Sequence, residues 1–268
     1  MRRLLPVLLI CAVLPLAAGC GAVKSVKDAV DPVAQAATKT ANAGTVQMSI
    51  TGKVSAAGQD VPISGKGAFD LKGKRGRMTV TTNVPGQGDV EIEEIIDGLV
   101  LYLRTDALTA NLPGGKHWIK ADLKALSRKQ GIDLGQLEQL GGGTDPTQFL
   151  SYLKKTADVT EVGSEDIDGT PTTHYRATID LDKVADSAGD AAASVRQLEK
   201  LSGQKSIPTD VWIDAQGRAR RQTVAYSAQQ PVPMRMQFTI DYEKFGVPVD
   251  VQAPAEGDTV DLADVIGG

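Results

Sequence analysis

Cysteine, histidine and aromatic residues are scarce. The 268 residues include 2 Cys, 2 His, 4 Phe, 2 Trp and 5 Tyr. Two cysteines cannot build a disulfide scaffold or a four-thiolate zinc site. Two histidines, His117 and His174, leave little material for a His-based metal or catalytic centre. A basic excess is also missing: 29 Lys+Arg stand against 33 Asp+Glu. That balance excludes the positive footprint of a nucleic-acid binder. Disorder is excluded as well, because 41% of the residues are hydrophobic. No nucleophile elbow, HExxH pair or Gly-rich phosphate loop with a following Lys-Ser/Thr occurs. No enzyme activity, cofactor or metal is therefore expected.

One long apolar run is present, and it lies at the start. Arg2 and Arg3 precede an almost unbroken apolar segment, Leu4 to Leu16. A membrane-spanning helix needs about 20 such residues, so this segment is too short. Charge, a short apolar core and then small residues describe a secretory signal. Ala17, Ala18 and Gly19 lead directly into Cys20. This order resembles the lipobox of bacterial lipoproteins, with Ala17 where Leu is usual. The resemblance implies that Cys20 is lipidated and becomes the first mature residue; the plainer reading is an ordinary thiol in a cleaved signal. Two acyl chains on one cysteine anchor firmly where one chain binds reversibly. Residues 1–19 are thus expected as signal, and 20–31 as a lipidated tether. Cys11 departs with the signal, so the working domain has no free thiol.

Asp31 as N-cap and Pro32 at the first position predict a helix to Ala43, ended by Gly44. From Thr45 the apolar residues recur every second position, as in half-buried antiparallel strands. Met48, Ile50 and Val54 form one row, and Val61, Ile63, Phe69 and Leu71 the next, with Gly65 and Gly67 interspersed. Met78 and Val80, Val90 and Ile92, then Leu99, Leu101 and Leu103 continue the pattern, the last after an Asp97-Gly98 turn. The middle of the chain reads as helical. Short amphipathic stretches cover Ala121–Gln130 and Asp133–Leu140, and Asp145-Pro146-Thr147-Gln148 opens a helix striped by Phe149, Leu150 and Leu153. Strands return at Asp158–Ile167 and Thr172–Leu181 around Asp168-Gly169. A helix is expected over Asp182–Ser202, then three strands ending at Phe245, where Met234, Met236, Phe238, Ile240 and Tyr242 alternate. The acidic end from Pro254 is expected as a flexible tail. Some ten antiparallel strands with inserted helices make one α+β domain over residues 32–253.

Several residues resemble one family. They are His117-Trp118-Ile119-Lys120 with Asp122 and Leu123, Asp145-Pro146, Gly163, Asp168-Gly169 and His174-Tyr175. Val211-Trp212-Ile213-Asp214 and Gly217-Arg218 complete the set. The chain is similar to actinobacterial lipoproteins of the LppX/LprG group, within the LolA-like superfamily. That resemblance implies a curved, unclosed antiparallel β half-barrel with helices over its concave face. It also implies an apolar cavity that holds acyl chains.

The inward rows suit such a space, since branched aliphatics and adaptable Met can line it. The same rows also suit a solid sheet–helix core. Candidate lining residues are Met48, Ile50, Ile63, Phe69, Val80, Leu101, Trp118, Phe149, Leu153, Met236 and Phe238. Trp118 and Trp212 read first as core packing. His174, beside Tyr175 in a half-buried strand, reads as a hydrogen-bonded structural residue. Asp89, Glu91, Glu93 and Glu94 form an acidic edge, with Glu91 and Glu93 on one face. Lys72, Lys74, Arg75 and Arg77 form one basic tip, and Arg218, Arg220 and Arg221 another; either suits anionic head groups or plain solvation.

The expected function is a lipid-anchored, extracytoplasmic protein of the cell membrane that binds and transfers lipids or lipidated molecules. The alternative is a lipid-responsive envelope sensor or regulatory binding protein acting on a membrane partner. Expected partners are a lipid or acyl-chain ligand, the cytoplasmic membrane through the anchor, and a transporter or signalling protein. A monomer is expected, with no nucleic acid.

Overall fold

The computed structural model describes residues 31–56, 58–84, 86, 88–109, 112–125, 153–154, 156–187, 192–228 and 233–266. The signal, most of the tether, Cys20, Phe149, the 133–140 stretch and the helix opened at Asp145 lie outside them.

Period-two alternation yields strands. In chain order these are β1 (Thr45–Ala56), β2 (Gln59–Asp70), β3 (Arg75–Val84), β4 (Gly88–Asp97), β5 (Val100–Arg104) and β6 (Trp118–Asp122). After them come β7 (Thr156–Ile167), β8 (Thr170–Asp180), β9 (Ser206–Asp214), β10 (Ala219–Ala228), β11 (Met234–Phe245) and β12 (Thr259–Asp261). They form one sheet in the order β12-β6-β5-β4-β3-β2-β1-β11-β10-β9-β8-β7. Its two ends, β12 and β7, do not pair, so the sheet is unclosed. Every pairing is antiparallel except the parallel contact of β12 with β6.

Close strand approach is built in by small residues. A Cβ on Gly67 would stand 2.3 Å from the carbonyl oxygen of Arg77 on β3, and one on Gly52 would stand 2.3 Å from the Phe238 ring. Glycine in a strand interior marks such approaches and the bends that accompany them.

Helix α1 (Pro32–Ala41) begins at Asp31, whose carboxylate accepts from the amides of Val33 and Ala34. Its buried face, Val33, Ala36 and Ala37, joins Val46, Met48, Phe69, Ile96, Leu153, Val211, Ile240 and Tyr242 in the main core. The helix lies against β7, β9 and β10. Helix α2 (Asp106–Thr109) is a single turn after β5. Helices α3 (Leu181–Ser187) and α4 (Ala192–Ser202) pack on each other beyond β8, where Ile179, Leu181, Val184, Ala185 and Val195 form a second cluster.

Three expectations are corrected. Residues Ala121 and Asp122 belong to β6, because Ala121 pairs with Leu101 and is buried there. The helix expected over Asp182–Ser202 is two helices, α3 and α4. The acidic end is not a structureless tail over its whole length. Val260 is buried opposite Ile119, and α5 (Leu262–Ile266) follows. Asp258 fastens this segment: its Oδ1 accepts from the His117 amide at 3.1 Å and lies 2.6 Å from His117 Nδ1.

Candidate functional site

Strand register sorts the sheet into two faces, because directly paired residues share a side. One face is apolar. Its rows run across the strands as Ile92–Val80–Gly65–Ile50–Ile240–Gln222–Val211 and Val90–Thr82–Ile63–Gly52–Phe238–Val224. A third row joins Val61, Val54, Met236 and Tyr226. Toward α1 the face is fully covered: Val46, Met48, Phe69 and Tyr242 are at most 5% exposed. Away from α1 it is half-buried, at Ile50, Val54, Val61, Ile63, Val80, Val90, Ile92, Val224, Met236 and Phe238. A cleft of about 450 Å³ opens at its far rim between Ala56, Ala228 and Met234. The Phe238 ring lies over Gly52, an aromatic plate on bare backbone.

The structure therefore brings Met48, Ile50, Ile63, Phe69, Val80, Leu101, Met236 and Phe238 to one face, and Leu153 packs into the same core. Two of them, Met48 and Phe69, lie in its fully covered part. Trp118 does not join them. The pairing of Leu103 with Ile119 turns Trp118 to the opposite face, where the Arg104 guanidinium lies 5.2 Å over its ring. Trp212 also lies on that opposite face, stacked on His174 at 4.3 Å.

The opposite face is polar and paired. Glu93 binds the guanidiniums of both Arg77 and Arg104. Burial acts to raise this carboxyl, and the two cations overcome it and hold it below the ordinary range. His174 Nε2 lies 2.7 Å from Asp210, and Trp212 Nε1 donates to Glu165 at 2.6 Å. The structural role expected for His174 accounts for these contacts. The second basic tip is internally satisfied: Arg218 binds Asp214, Arg220 donates to the Glu243 carbonyl and Arg221 binds Asp241. In the first tip Arg75 faces Asp70 at 3.5 Å. Among the described residues no group of three His, Cys, Asp or Glu could hold a metal ion.

Glu94, Gln222 and Tyr242 interrupt the apolar face. Glu94 sits between Met78 and Leu103, not with Glu91 and Glu93. Burial alone raises its carboxyl above the usual range. Gln222 and Tyr242 are completely buried, and neither the Gln222 amide atoms nor the Tyr242 hydroxyl has a hydrogen-bond partner. Each such group costs roughly 1–3 kcal/mol relative to a satisfied one. Composition hid these groups. Period two was the available signal, since it aligns Glu94 with Ile92 and Ile96, and Tyr242 with Ile240.

No family model matches the chain. It is 28% identical over 207 residues to an uncharacterised 31.2 kDa protein of Streptomyces griseus, matching 72% of this chain and 67% of that protein. It is 25% identical over 168 residues to a putative lipoprotein of Streptomyces coelicolor, matching 62% of this chain and 49% of that one, about half its length. Among solved structures it is similar to LprF from Mycobacterium bovis, at 17% identity and a TM-score of 0.46, over 84% of this chain and 96% of that one. It is also similar to the lipoprotein LppX from Mycobacterium tuberculosis, at 15% identity and a TM-score of 0.45, over 83% and 100%.

Proposed function

We propose that this chain is a lipid-anchored extracytoplasmic protein that binds acyl lipids on its aliphatic face and passes them on. The observation that carries the reading is the strip of half-buried aliphatic residues across β10, β11, β1, β2, β3 and β4. An acyl chain asks for apolar area and little else, and each methylene removed from water contributes about 0.8 kcal/mol. A cleaved signal and a lipidated Cys20 would hold that strip beside a membrane, and this is supported by the Streptomyces coelicolor relative, itself described as a putative lipoprotein. Among the described residues no helix is long and apolar enough to cross a membrane; the attachment proposed is lipid on Cys20. In the proposed site Ile50, Ile63, Val80, Met236 and Phe238 form the wall, and Met48, Phe69, Leu101 and Leu153 the packed floor.

The test is displacement of a fluorescent alkyl probe from full-length Cys20→Ala protein. Long-chain acyl lipid is expected to compete, and Ile63→Asp or Phe238→Asp to abolish probe binding while the fold survives by circular dichroism. Probe binding that both variants retain contradicts the proposal.

A further inference from the structure

The buried, unpartnered pair Gln222 and Tyr242 has no task in a purely hydrocarbon-binding face. Gln222 pairs with Ile240 on β11, and Tyr242 is the next residue of that strand on the same side. The two are therefore diagonal neighbours, within reach of long side chains. Both are 0% exposed, yet the next pair along the strands, Val224 and Phe238, is half-buried. The polar pair thus marks the inner limit of the open apolar strip, where α1 closes the face. Its chemistry is neutral. The Gln222 amide offers two N–H donors and a carbonyl acceptor, and the phenol one O–H donor with acceptor capacity. Burial pushes the Tyr242 phenol far up, so it stays protonated. No cationic group belongs to the set, so a carboxylate or phosphate would enter uncompensated.

From this geometry we infer that Gln222 and Tyr242 form a polar subsite that takes the neutral ester group of an acylglycerol whose chain lies along the strip. This rests on the proposed lipid binding and deepens it, setting the ligand class as neutral acyl ester rather than free fatty acid. The Gln222 amide and the Tyr242 hydroxyl donate to the ester carbonyl, and the Gln222 carbonyl accepts from a glycerol hydroxyl.

The experiment measures competition by monopalmitoylglycerol, palmitate and hexadecane in full-length Cys20→Ala protein, with and without Gln222→Leu or Tyr242→Phe. The monoester is expected to bind more tightly than palmitate. Each substitution is expected to weaken the monoester about tenfold, the loss of one hydrogen-bonded contact, and to leave hexadecane unchanged. Thermal melting of the ligand-free variants keeps the result interpretable, since removing an unsatisfied polar group is expected to hold or raise stability. Equal loss for ester and hydrocarbon, or no loss for either, overturns the subsite while leaving lipid binding intact. Wild-type protein that binds none of the three overturns both proposals.

Discussion

At the residue scale, the informative side chains are those that contradict their surroundings. Glu94 is a carboxyl among Met78, Leu103, Ile92 and Ile96. Its folded-state pKa is raised, so the native state holds this proton more tightly than the unfolded chain does. Below the unfolded value the group is protonated in both states and costs nothing. As pH rises from there through the folded value, native stability falls, and the penalty is complete above it. Glu94→Gln is therefore expected to raise the melting temperature near neutral pH and to leave it unchanged in acid well below 4.5, the ordinary carboxyl value. Melting curves at both pH values check this; an equal shift at both would mean that charge burial is not the cause. Asp214 shows the opposite economy. Its side chain is 1% exposed, and it accepts from the amides of Gln216 and Arg218 as well as the Arg218 guanidinium. Asp214→Ala leaves both amides without their acceptor and takes the carboxylate from the Arg218 guanidinium, at an expected cost of about 3 kcal/mol in denaturant unfolding.

At the element scale, most strands were legible because alternation and packing agree. The rows holding Met48 and Ile50, Ile63 and Phe69, and Met236 and Phe238 fall on one face in the observed register. What failed was orientation where both faces are buried. In β6, Trp118, Ile119 and Ala121 are all below 9% exposed, so burial alone gives no phase. The phase comes from β5, through Leu103 with Ile119, and from β12, whose parallel pairing joins segments far apart in sequence. The acidic count near Pro254 masked Val260. Glycine positions carry their own prediction. Gly67→Ala drives a methyl into the Arg77 carbonyl, and the strained β2–β3 contact is expected to cost about 1–3 kcal/mol by chemical denaturation.

At the scale of the whole molecule, the sheet divides labour between its faces. One carries ion pairs such as Glu93 with Arg77 and Arg104, and the other carries aliphatic rows that are sealed at α1 and half-buried beyond it. The edge strand β7 is shielded from further pairing by two register shifts and by Glu161, Glu165 and Asp166. Ten methylenes lying on the open rows would contribute on the order of 8 kcal/mol before the cost of association, enough for reversible binding. Attachment is expected to depend on Cys20 alone: Cys20→Ala should move the protein from the membrane to the soluble fraction, and globomycin should leave an uncleaved precursor. Persistent membrane attachment of Cys20→Ala would refute that anchor. Whether the aliphatic face holds acyl lipid is decided by native mass spectrometry of full-length Cys20→Ala protein purified from a lipid-containing host. Added masses of acyl lipids are expected, and these disappear in Phe238→Asp. Protein with the native face that emerges free of lipid, and stays free when offered it, would rule out lipid binding there.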